Sequence, residues 1–205
     1  MDGAFFAAWI TEAARLVAVE RERLTTLDAA IGDADHGTNL ERGFSAAVEE
    51  LPSGPPGDVL THVGNTLIRR VGGASGPLYG SAFRAMGKAL GEASEVSLAS
   101  FASALQAGVD AVSRLGKASV GDKTMIDALV PAAQALTLAV QEGVKQDEAL
   151  ARTVRAAEEG ARATVPLQAR KGRASYLGPR SVGHQDPGAT SSALILSALL
   201  GLGLG

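Results

Sequence analysis

The sequence predicts an all-helical protein of about eight helices, each antiparallel to its neighbours, and three observations support this prediction. No stretch alternates β-branched and polar residues over the length of a strand. Apolar residues instead recur at spacings of three and four. Aromatic residues make up only 4% of an alanine-rich chain, which favours closely packed helices over sheets. Short connections between the helical stretches predict antiparallel neighbours.

No low-complexity linker splits the series of predicted helices. The first contains FFAAWITEAARLVAVERERL (5–24), in which apolar residues share one face and charges occupy the other. Further helical stretches cover 38–50, 57–71, 77–92, 98–115, 123–142, 146–165 and 187–203. LPSGPPG (51–57) is typical of a turn rather than a domain boundary. We therefore expect residues 1–205 to form a single domain.

The bulk composition excludes several classes of protein. A net charge of -3 indicates no general affinity for nucleic acids or anionic membranes. The chain has no cysteine, which excludes disulfides and thiolate metal sites and suits a cytoplasmic protein. The N-terminal MDGAFFAAWITEAARL lacks the basic start of a signal peptide, and the C-terminal ALILSALLGLGLG is too short and glycine-rich to span a bilayer comfortably.

Antiparallel packing gathers the chemically rich segments at one end of the molecule. Loops alternate between the two ends, and one end receives the turns LPSGPPG and GEASEVS and the turn near Gly143. The other end receives LDAAIGDADHGTN, VGGASGPLYG, GKASVGDKTM and the long PLQARKGRASYLGPRSVGHQDPGATS. Because no functional assumption enters this assignment, the clustering predicts that this end is the active face.

Three aspartates in the first rich segment indicate a metal site. In an extended loop Asp33 and Asp35 point the same way, and Asp28, near the end of the first helix, folds back over them. Three carboxylates without a thiolate or histidine pair suit magnesium better than zinc. Helix capping and turn formation are the alternative for two aspartates alone. The D-x4-D-x-D run followed by His36 favours the metal, and its spacing is not that of an EF-hand.

Four helix N-termini are predicted at the same end. Their capping signals are Thr38 to Glu41, Ser75 or Gly76 before Pro77, Asp122, and Asp186 before Pro187. Each N-terminus presents free N–H groups and a partial positive charge, and glycines at 72, 73 and 76 let a phosphate approach the backbone. One such terminus is ordinary capping, but four beside a carboxylate cluster indicate a phosphate-and-magnesium site. GGASGP lacks the GK[ST] ending of a Walker A loop.

Basic and soft side chains at this end are candidates for nucleotide contacts. The basic residues are Lys117, Lys123, Arg170, Lys171, Arg173 and Arg180. Several of them are expected to be solvated surface charges, with one or two balancing phosphate oxygens. Met125 offers an apolar surface to an adenine ring, unless it packs in the core. His36 is a candidate phosphate donor or polar clamp, whereas His184 is interpreted as a loop residue and His62 as structural. The sequence shows no nucleophile arrangement for covalent acyl chemistry.

The motifs LDAAIGDADHGTN, GGASGPLYG, GDKTMIDAL and GRASYLGPRSVGHQDPGATS resemble, in order and spacing, those of the nucleotide-binding L subunit of dihydroxyacetone kinase. The resemblance implies a closed barrel of eight antiparallel helices. It implies that Asp28, Asp33 and Asp35 hold two magnesium ions bridging the phosphates of ADP or ATP and, with His36, are the catalytic residues. The implied nucleotide contacts are His36, Gly37, Thr38, Asn39, Ala74, Ser75, Gly76, Gly116, Met125, Arg173, Asp186, Pro187 and Gly188. The family's usual GDGDHG reads GDADHG here, so Ala34 adds a methyl group between two aspartates.

The resemblance also implies a division of labour. In the family a separate K subunit binds the small ketose covalently through its own histidine, and it is far larger than anything left over in this chain. The chain is therefore expected to supply nucleotide, magnesium and phosphoryl group, and to be active only with this partner. The sequence does not decide whether the chain forms a homodimer. We expect residues 166–185 to close as a lid over the nucleotide, with Arg173 reaching the phosphates.

The phosphoryl donor and the acceptor stay open. In one version of the L subunit ATP exchanges as a substrate. In the other, ADP stays bound and is rephosphorylated in place by a phosphotransferase-system protein related to the family's M subunit, and a free-standing chain of this length favours this version. The alternatives are an ATP-dependent kinase subunit for another short ketose and a non-catalytic nucleotide sensor. The related domain of fatty-acid kinases usually carries threonine in place of His36, which argues against that substrate.

Overall fold

The computed structural model describes residues 1–202, and every extended regular element in this range is helical. The α-helices are α1 (Gly3–Ile31), α2 (His36–Glu49), α3 (Pro56–Arg70), α4 (Ser75–Leu90), α5 (Leu98–Gly116), α6 (Ile126–Gln141), α7 (Gln146–Ala163) and α8 (Pro187–Ser197). A 3₁₀ helix, Arg173–Ser181, lies between α7 and α8. The β-type pairing in this range is one isolated bridge between Asp2 and Glu95. The predicted all-helical class is confirmed.

The first and last helices differ most from the sequence prediction, whereas the others agree within three residues. Helix α1 runs beyond the stretch 5–24 to Ile31, because Leu24, Asp28 and Ile31 keep to its buried face, and Asp28 lies near its end as predicted. Helix α8 ends at Ser197, and turns follow up to residue 202. Residue 203, the predicted end, lies outside the described range. Within residues 1–202 no helix is long and apolar enough to cross a membrane.

Three of the four predicted helix starts are wrong in detail. The helices begin instead at His36, Ser75 and Ile126. Thr38 and Pro77 therefore lie inside their helices, and Asp122 precedes α6 in a turn, where its Oδ2 accepts from the Ser119 N–H at 2.9 Å. The fourth start is confirmed, because the Asp186 carboxylate accepts from the Ala189 N–H at 2.7 Å and Pro187 is the first residue of α8.

The helices pack in chain order around a shared apolar interior. Each helix contacts the next, and α8 also contacts α1, so the contacts run round the whole set. Edge-to-face and tilted aromatic pairs join α1, α2, α4 and α5 inside, with ring centroids 5.7 to 6.2 Å apart. These aromatic residues are Phe6, Trp9, Phe44, Phe83 and Phe101. The indole of Trp9 donates to the Ile195 carbonyl of α8 at 2.8 Å. The arrangement agrees with the barrel that the resemblance implies.

The two ends of the helical set have different contents. At one end the chain start meets the two bland turns: the Val96 N–H donates to the Met1 carbonyl at 2.8 Å, and Gly3 lies against the backbone of Gly54. The opposite end carries the C-termini of α1 and α5 and the N-termini of α2, α4, α6 and α8. The alternation of loops predicted from antiparallel packing is confirmed, and it places the rich segments together.

Candidate functional site

A cavity of about 280 Å³ opens at the rich end of the molecule. Its walls come from all four segments that the sequence placed there, and they include the first residues of α2, α4, α6 and α8. Partial positive charge from four helix N-termini therefore converges on one space. Ala74, which precedes α4, has no side-chain oxygen acceptor and so provides no side-chain cap, whereas the first amide of α6, that of Ile126, donates to the Thr124 hydroxyl at 3.2 Å.

Most residues expected at the site line this cavity. They are Asp28, Asp33, Asp35, His36, Ala74, Ser75, Gly116, Met125, Arg173, Asp186, Pro187 and Gly188. They lie on five different α-helices, the 3₁₀ helix and the connecting loops, so they meet only when the chain has folded. This convergence supports the site that the resemblance implies.

Four of the expected contact residues lie outside the lining. Gly37 packs on α1, where an added Cβ would come within 2.1 Å of the Arg21 carbonyl, and Gly76 packs on the end of α3, 2.3 Å from the Val71 carbonyl by the same measure. These glycines therefore permit close helix packing. Asn39 is buried and accepts from Arg42 at 2.7 Å, and Thr38 is exposed.

The three aspartates form a compact cluster of oxygens. Asp28, Asp33 and Asp35 each offer one carboxylate oxygen, and these oxygens lie within 4.8 Å of one another. Asp28 is buried in the last turn of α1, and its Oδ2 accepts the N–H groups of Asp35 at 2.9 Å and His36 at 3.2 Å. The loop is thus folded back over α1, as expected. A set of three carboxylates, two of them exposed, suits a hard divalent cation.

The loop between the aspartates is not extended, contrary to the sequence-based expectation. Ala34 has φ of 63°, in the left-handed region, and Asp35 has φ of -116° and ψ of -10°. The carboxylates of Asp33 and Asp35 converge through this reversal of the backbone, not by the two-residue repeat of an extended chain. A left-handed conformation costs a residue with a Cβ about 1–2 kcal/mol. Alanine at this position is therefore strained where the family's usual glycine is not.

Arg173, in the 166–185 segment, reaches the loop that carries Asp33 and Asp35. Its guanidinium forms an ion pair with Asp33 at 3.0 Å, with 69% of the Arg173 side chain exposed. A small apolar cluster of Ile31, Ala169 and Ala174, with Leu177 against it, holds this part of the segment on the end of α1. Lys171 to Ala174 line the cavity, so the segment covers one side of its mouth.

His36 bridges three helices with both ring nitrogens. Nδ1 lies 3.2 Å from the Ser75 hydroxyl on α4, and Nε2 lies 2.8 Å from the Ser191 hydroxyl on α8. Burial lowers the pKa of His36, so the neutral imidazole is favoured. Ser191 is also 2.7 Å from the hydroxyl of Tyr79, whose pKa is raised to about 12 by burial. These contacts support the polar-clamp interpretation of His36.

Lys123 and Asp127 are site residues that the sequence analysis did not assign. Lys123 was grouped with basic residues that are mostly solvated, but its side chain is buried and faces the cavity. Asp127 accepts the N–H groups of Gly121 at 2.6 Å and Thr124 at 2.7 Å, which folds the loop around Lys123. The signal available in the sequence was the position of both residues within GDKTMID, at a helix start.

Asp186 caps the N-terminus of α8 with a buried carboxyl group. Its carboxyl group is buried, and burial raises its pKa to about 7, helped by the carboxylates of Asp127 and Asp28. The Ala189 N–H and the Lys123 ammonium act in the opposite direction. The N-terminus of α8 is therefore held by a group that titrates near neutral pH.

The chain is similar to known proteins over almost its whole length. The PEP-dependent dihydroxyacetone kinase ADP-binding subunit DhaL of Escherichia coli (strain K12) is 44% identical over 194 residues, covering 93% of this chain and 92% of that protein. The corresponding subunit of PEP-dependent dihydroxyacetone kinase 1 from Listeria innocua is 40% identical over 195 residues, covering 94% of this chain and 92% of that protein.

A solved structure shares the fold. The crystal structure of the dihydroxyacetone kinase from C. freundii in complex with AMP-PNP and Mg2+ matches with a TM-score of 0.74 and 27% identity, covering 96% of this chain and 33% of that one. The family model that describes the DAK2 domain matches residues 30–201. On this match and on the identity to relatives over almost their whole length, the chain belongs to the DAK2 domain family.

Proposed function

We propose that this chain is the ADP-binding subunit of a dihydroxyacetone kinase, which holds nucleotide and magnesium and delivers a phosphoryl group to dihydroxyacetone on a separate subunit. The single observation that carries the proposal is the convergence of three carboxylates within 4.8 Å at a cavity walled by four helix N-termini. Relatives called ADP-binding subunits of this kinase, matched over most of both chains, support it.

Asp28, Asp33 and Asp35 are the proposed magnesium ligands, and the cluster is assigned two ions. A bound magnesium ion supplies charge neutralisation for the phosphate oxygens. The chain itself prepares the site: the N–H groups of Asp35 and His36 hold the buried Asp28, so that its other oxygen is available to a cation. His36 keeps α2, α4 and α8 in register around the phosphates.

The nucleotide is assigned to the cavity with its phosphates toward the helix N-termini. Gly73, Ala74 and Ser75 at the start of α4 offer backbone amides, and Gly73 adopts φ of 65°, which turns the backbone sharply there. Leu78, Gly116 and Met125 form an apolar part of the wall for the base.

The rim of the cavity is the proposed docking surface for the ketose-binding K subunit. Of the basic residues in the segments at this end, Lys171 and Arg173 line the cavity, and Lys117, Arg170 and Arg180 belong to the same segments. Exposed apolar side chains near them in the sequence are Leu115, Val120, Tyr176 and Val182. Tyr176 is 88% exposed on the 3₁₀ helix that borders the mouth. A partner with an acidic rim would bury these groups and exclude water from the transferring phosphoryl group.

We propose that the phosphoryl group is supplied by rephosphorylation of ADP that stays bound to the chain. Relatives matched over most of their length are subunits of PEP-dependent or PTS-dependent kinases, which supports a phosphotransferase-system M subunit as donor to bound ADP. The cytoplasm is the proposed compartment, because a chain without cysteine suits a reducing environment.

The test of the proposed function is titration of ADP into the purified protein, with magnesium and with a chelator. Asp35→Ala should abolish the magnesium-dependent part of the binding, because it removes one ligand from an exposed loop, and circular dichroism should show unchanged helical content. Asp110→Ala is the matched control, since Asp110 is an exposed carboxylate on α5 outside the cavity. Unchanged magnesium dependence in Asp35→Ala would rule out the carboxylate site.

A further inference from the structure

Lys123 joins the two ends of the 166–185 segment. Its Nζ donates to the carbonyl of Thr164, just before the segment, at 2.7 Å, and to the carbonyl of His184, near its end. The two stretches of backbone that Lys123 bridges are also hydrogen-bonded to each other, because the Gly183 N–H donates to the Val165 carbonyl at 2.8 Å. The ammonium therefore closes the base of a loop of about twenty residues.

The Lys123 ammonium makes these hydrogen bonds from a buried position. Only 1% of Lys123 is exposed, and it reaches the carbonyls from the loop before α6, with φ of 63°. A buried ammonium is tolerated only when its N–H groups are hydrogen-bonded, so opening the loop base would leave the charge without its acceptors. Asp186 and Asp127 lie near enough to offset part of the fall in its pKa that burial causes.

The closed loop base positions two parts of the candidate site. Within the segment, Arg173 reaches Asp33, and the Arg170 N–H donates to the carbonyl of Asp122, the residue before Lys123, at 3.0 Å. Just after the segment, the Asp186 N–H donates to the Thr164 hydroxyl at 2.9 Å, and Asp186 caps α8. Lys123 thus holds Thr164, to which Asp186 at the start of α8 is also hydrogen-bonded.

We propose that Lys123 is a positioning residue, whose ammonium clamps the ends of the 166–185 segment and so holds Arg173 and the N-terminus of α8 beside the cavity. The inference rests on the proposed function only in taking magnesium-ADP as the ligand. The competing role is direct contact with phosphate, because Lys123 also lines the cavity. The two roles differ in whether Lys123 acts through Arg173.

The first arm of the test needs no ligand. Lys123→Met removes the ammonium and leaves an unbranched side chain one atom shorter, and Lys117→Met is the matched control, because Lys117 is exposed with φ of 48°. In ligand-free protein, limited proteolysis between residues 166 and 185 should be at least about tenfold faster in Lys123→Met and unchanged in Lys117→Met. Cleavage of Lys123→Met at the wild-type rate would overturn the clamp.

The second arm measures coupling. Magnesium-ADP affinity is determined for wild type, Lys123→Met, Arg173→Ala and the double variant. We expect about tenfold weaker binding for Lys123→Met, and a combined loss in the double variant smaller than the product of the two single losses. If the loss of affinity in the double variant equals the product of the two single losses, the inference is overturned in favour of direct contact. If wild type binds no magnesium-ADP while the proteolysis result holds, the proposed function fails and the clamp stands.

A measurement on wild type covers the case in which Lys123→Met does not fold. Hydrogen exchange should show the amides of Gly183 and Arg170 strongly protected and opening together, since both close the base of the segment. Exchange of these amides at the rate of an open peptide would contradict the clamp without any substitution.

Discussion

Ala34 stands where the loop between Asp33 and Asp35 reverses its direction, and its left-handed backbone strains this loop. The strain is tolerated because the Asp35 and His36 amides are tied to the buried Asp28. Ala34→Gly should relieve it and stabilise the protein by about 0.5–1 kcal/mol, the balance of the left-handed penalty against the greater flexibility of glycine in the unfolded chain.

Urea unfolding of wild type and Ala34→Gly measures this difference. Ala29→Gly is the control, because Ala29 is an exposed residue in the last turns of α1 and glycine there should destabilise by about 0.5–1 kcal/mol. A destabilisation of Ala34→Gly equal to that of the control would show that the loop does not adopt the left-handed conformation.

Asp186 should make stability depend on pH. Its pKa is about 7 in the folded protein, against 3.8 for an ordinary aspartate, so the folded state holds the proton more tightly. The stabilisation from this group is therefore complete below about pH 4 and is lost as the pH rises towards 7. Asp186→Asn retains a capping oxygen and does not ionise. Between pH 5 and 8, wild type should lose stability relative to Asp186→Asn, on the order of 2 kcal/mol.

Chemical denaturation of both proteins at pH 5 and at pH 8 tests this prediction. The comparison between the two proteins cancels the titration of groups that they share, including His36. A stability difference that is the same at both pH values, or that changes in favour of wild type at pH 8, would mean that Asp186 is ionised throughout.

Residue types at the site could be predicted from the sequence, but their conformations could not. Three carboxylates within eight residues, next to His36, are visible as a pattern. The left-handed turn at Ala34 is not, because GDADHG carries alanine where glycine would have marked a positive φ. The burial of Lys123 was also hidden, since its two acceptors are backbone carbonyls far along the chain, which no side-chain pattern reveals.

At the scale of elements, the 166–185 segment is ordered rather than an open connection. It contains the 3₁₀ helix, in which Gly178 has a non-helical conformation next to Pro179. Its short, irregular turns carry no sustained period, so sequence periodicity could not predict them. The α-helices were predictable because each buries one face. The starts of α2, α4 and α6 were missed by two or three residues, because the residues before them make no side-chain capping hydrogen bond.

Arg173→Ala should weaken magnesium-nucleotide binding by roughly ten- to a hundredfold, because one charge-assisted contact contributes about 1.5–3 kcal/mol. Its exposed ion pair with Asp33 should add little to the stability of the protein without nucleotide. With nucleotide, the variant should also be cleaved faster than wild type between residues 166 and 185.

Titration and limited proteolysis, each with and without magnesium-ADP, measure both effects. Arg180→Ala is the control, because Arg180 is exposed on the same segment but outside the cavity lining. If nucleotide leaves the cleavage rate of the wild-type segment unchanged, the segment is a long connection and not a lid.

At the scale of the whole molecule, the site exists only because alternate helix ends meet. Asp28 comes from the end of α1, His36 and Ser75 from the starts of α2 and α4, and Asp186 from the start of α8. Antiparallel packing was enough to predict this meeting, because it depends on the order of the helices and not on their exact bounds. The size and lining of the cavity were beyond such reasoning, since they depend on side-chain packing.

Tyr176 is the residue with which we test the proposed docking surface. Tyr176→Ser should raise the concentration of K subunit needed for half-maximal turnover by about tenfold, because it removes an exposed aromatic anchor. Affinity for magnesium-ADP should not change. Val19→Ser is the control, since Val19 is exposed in the middle of α1. An equal effect of both variants on turnover would place the partner elsewhere.

The most direct measurement of the central claim is phosphoryl transfer to dihydroxyacetone by the reconstituted system. The chain charged with magnesium and nucleotide should give no dihydroxyacetone phosphate alone, should give it when the K subunit is added, and should lose this activity as Asp35→Ala. A nucleotide sensor would bind nucleotide yet transfer nothing with the partner present. Turnover by the chain alone, or none with a competent K subunit and donor, would contradict the account.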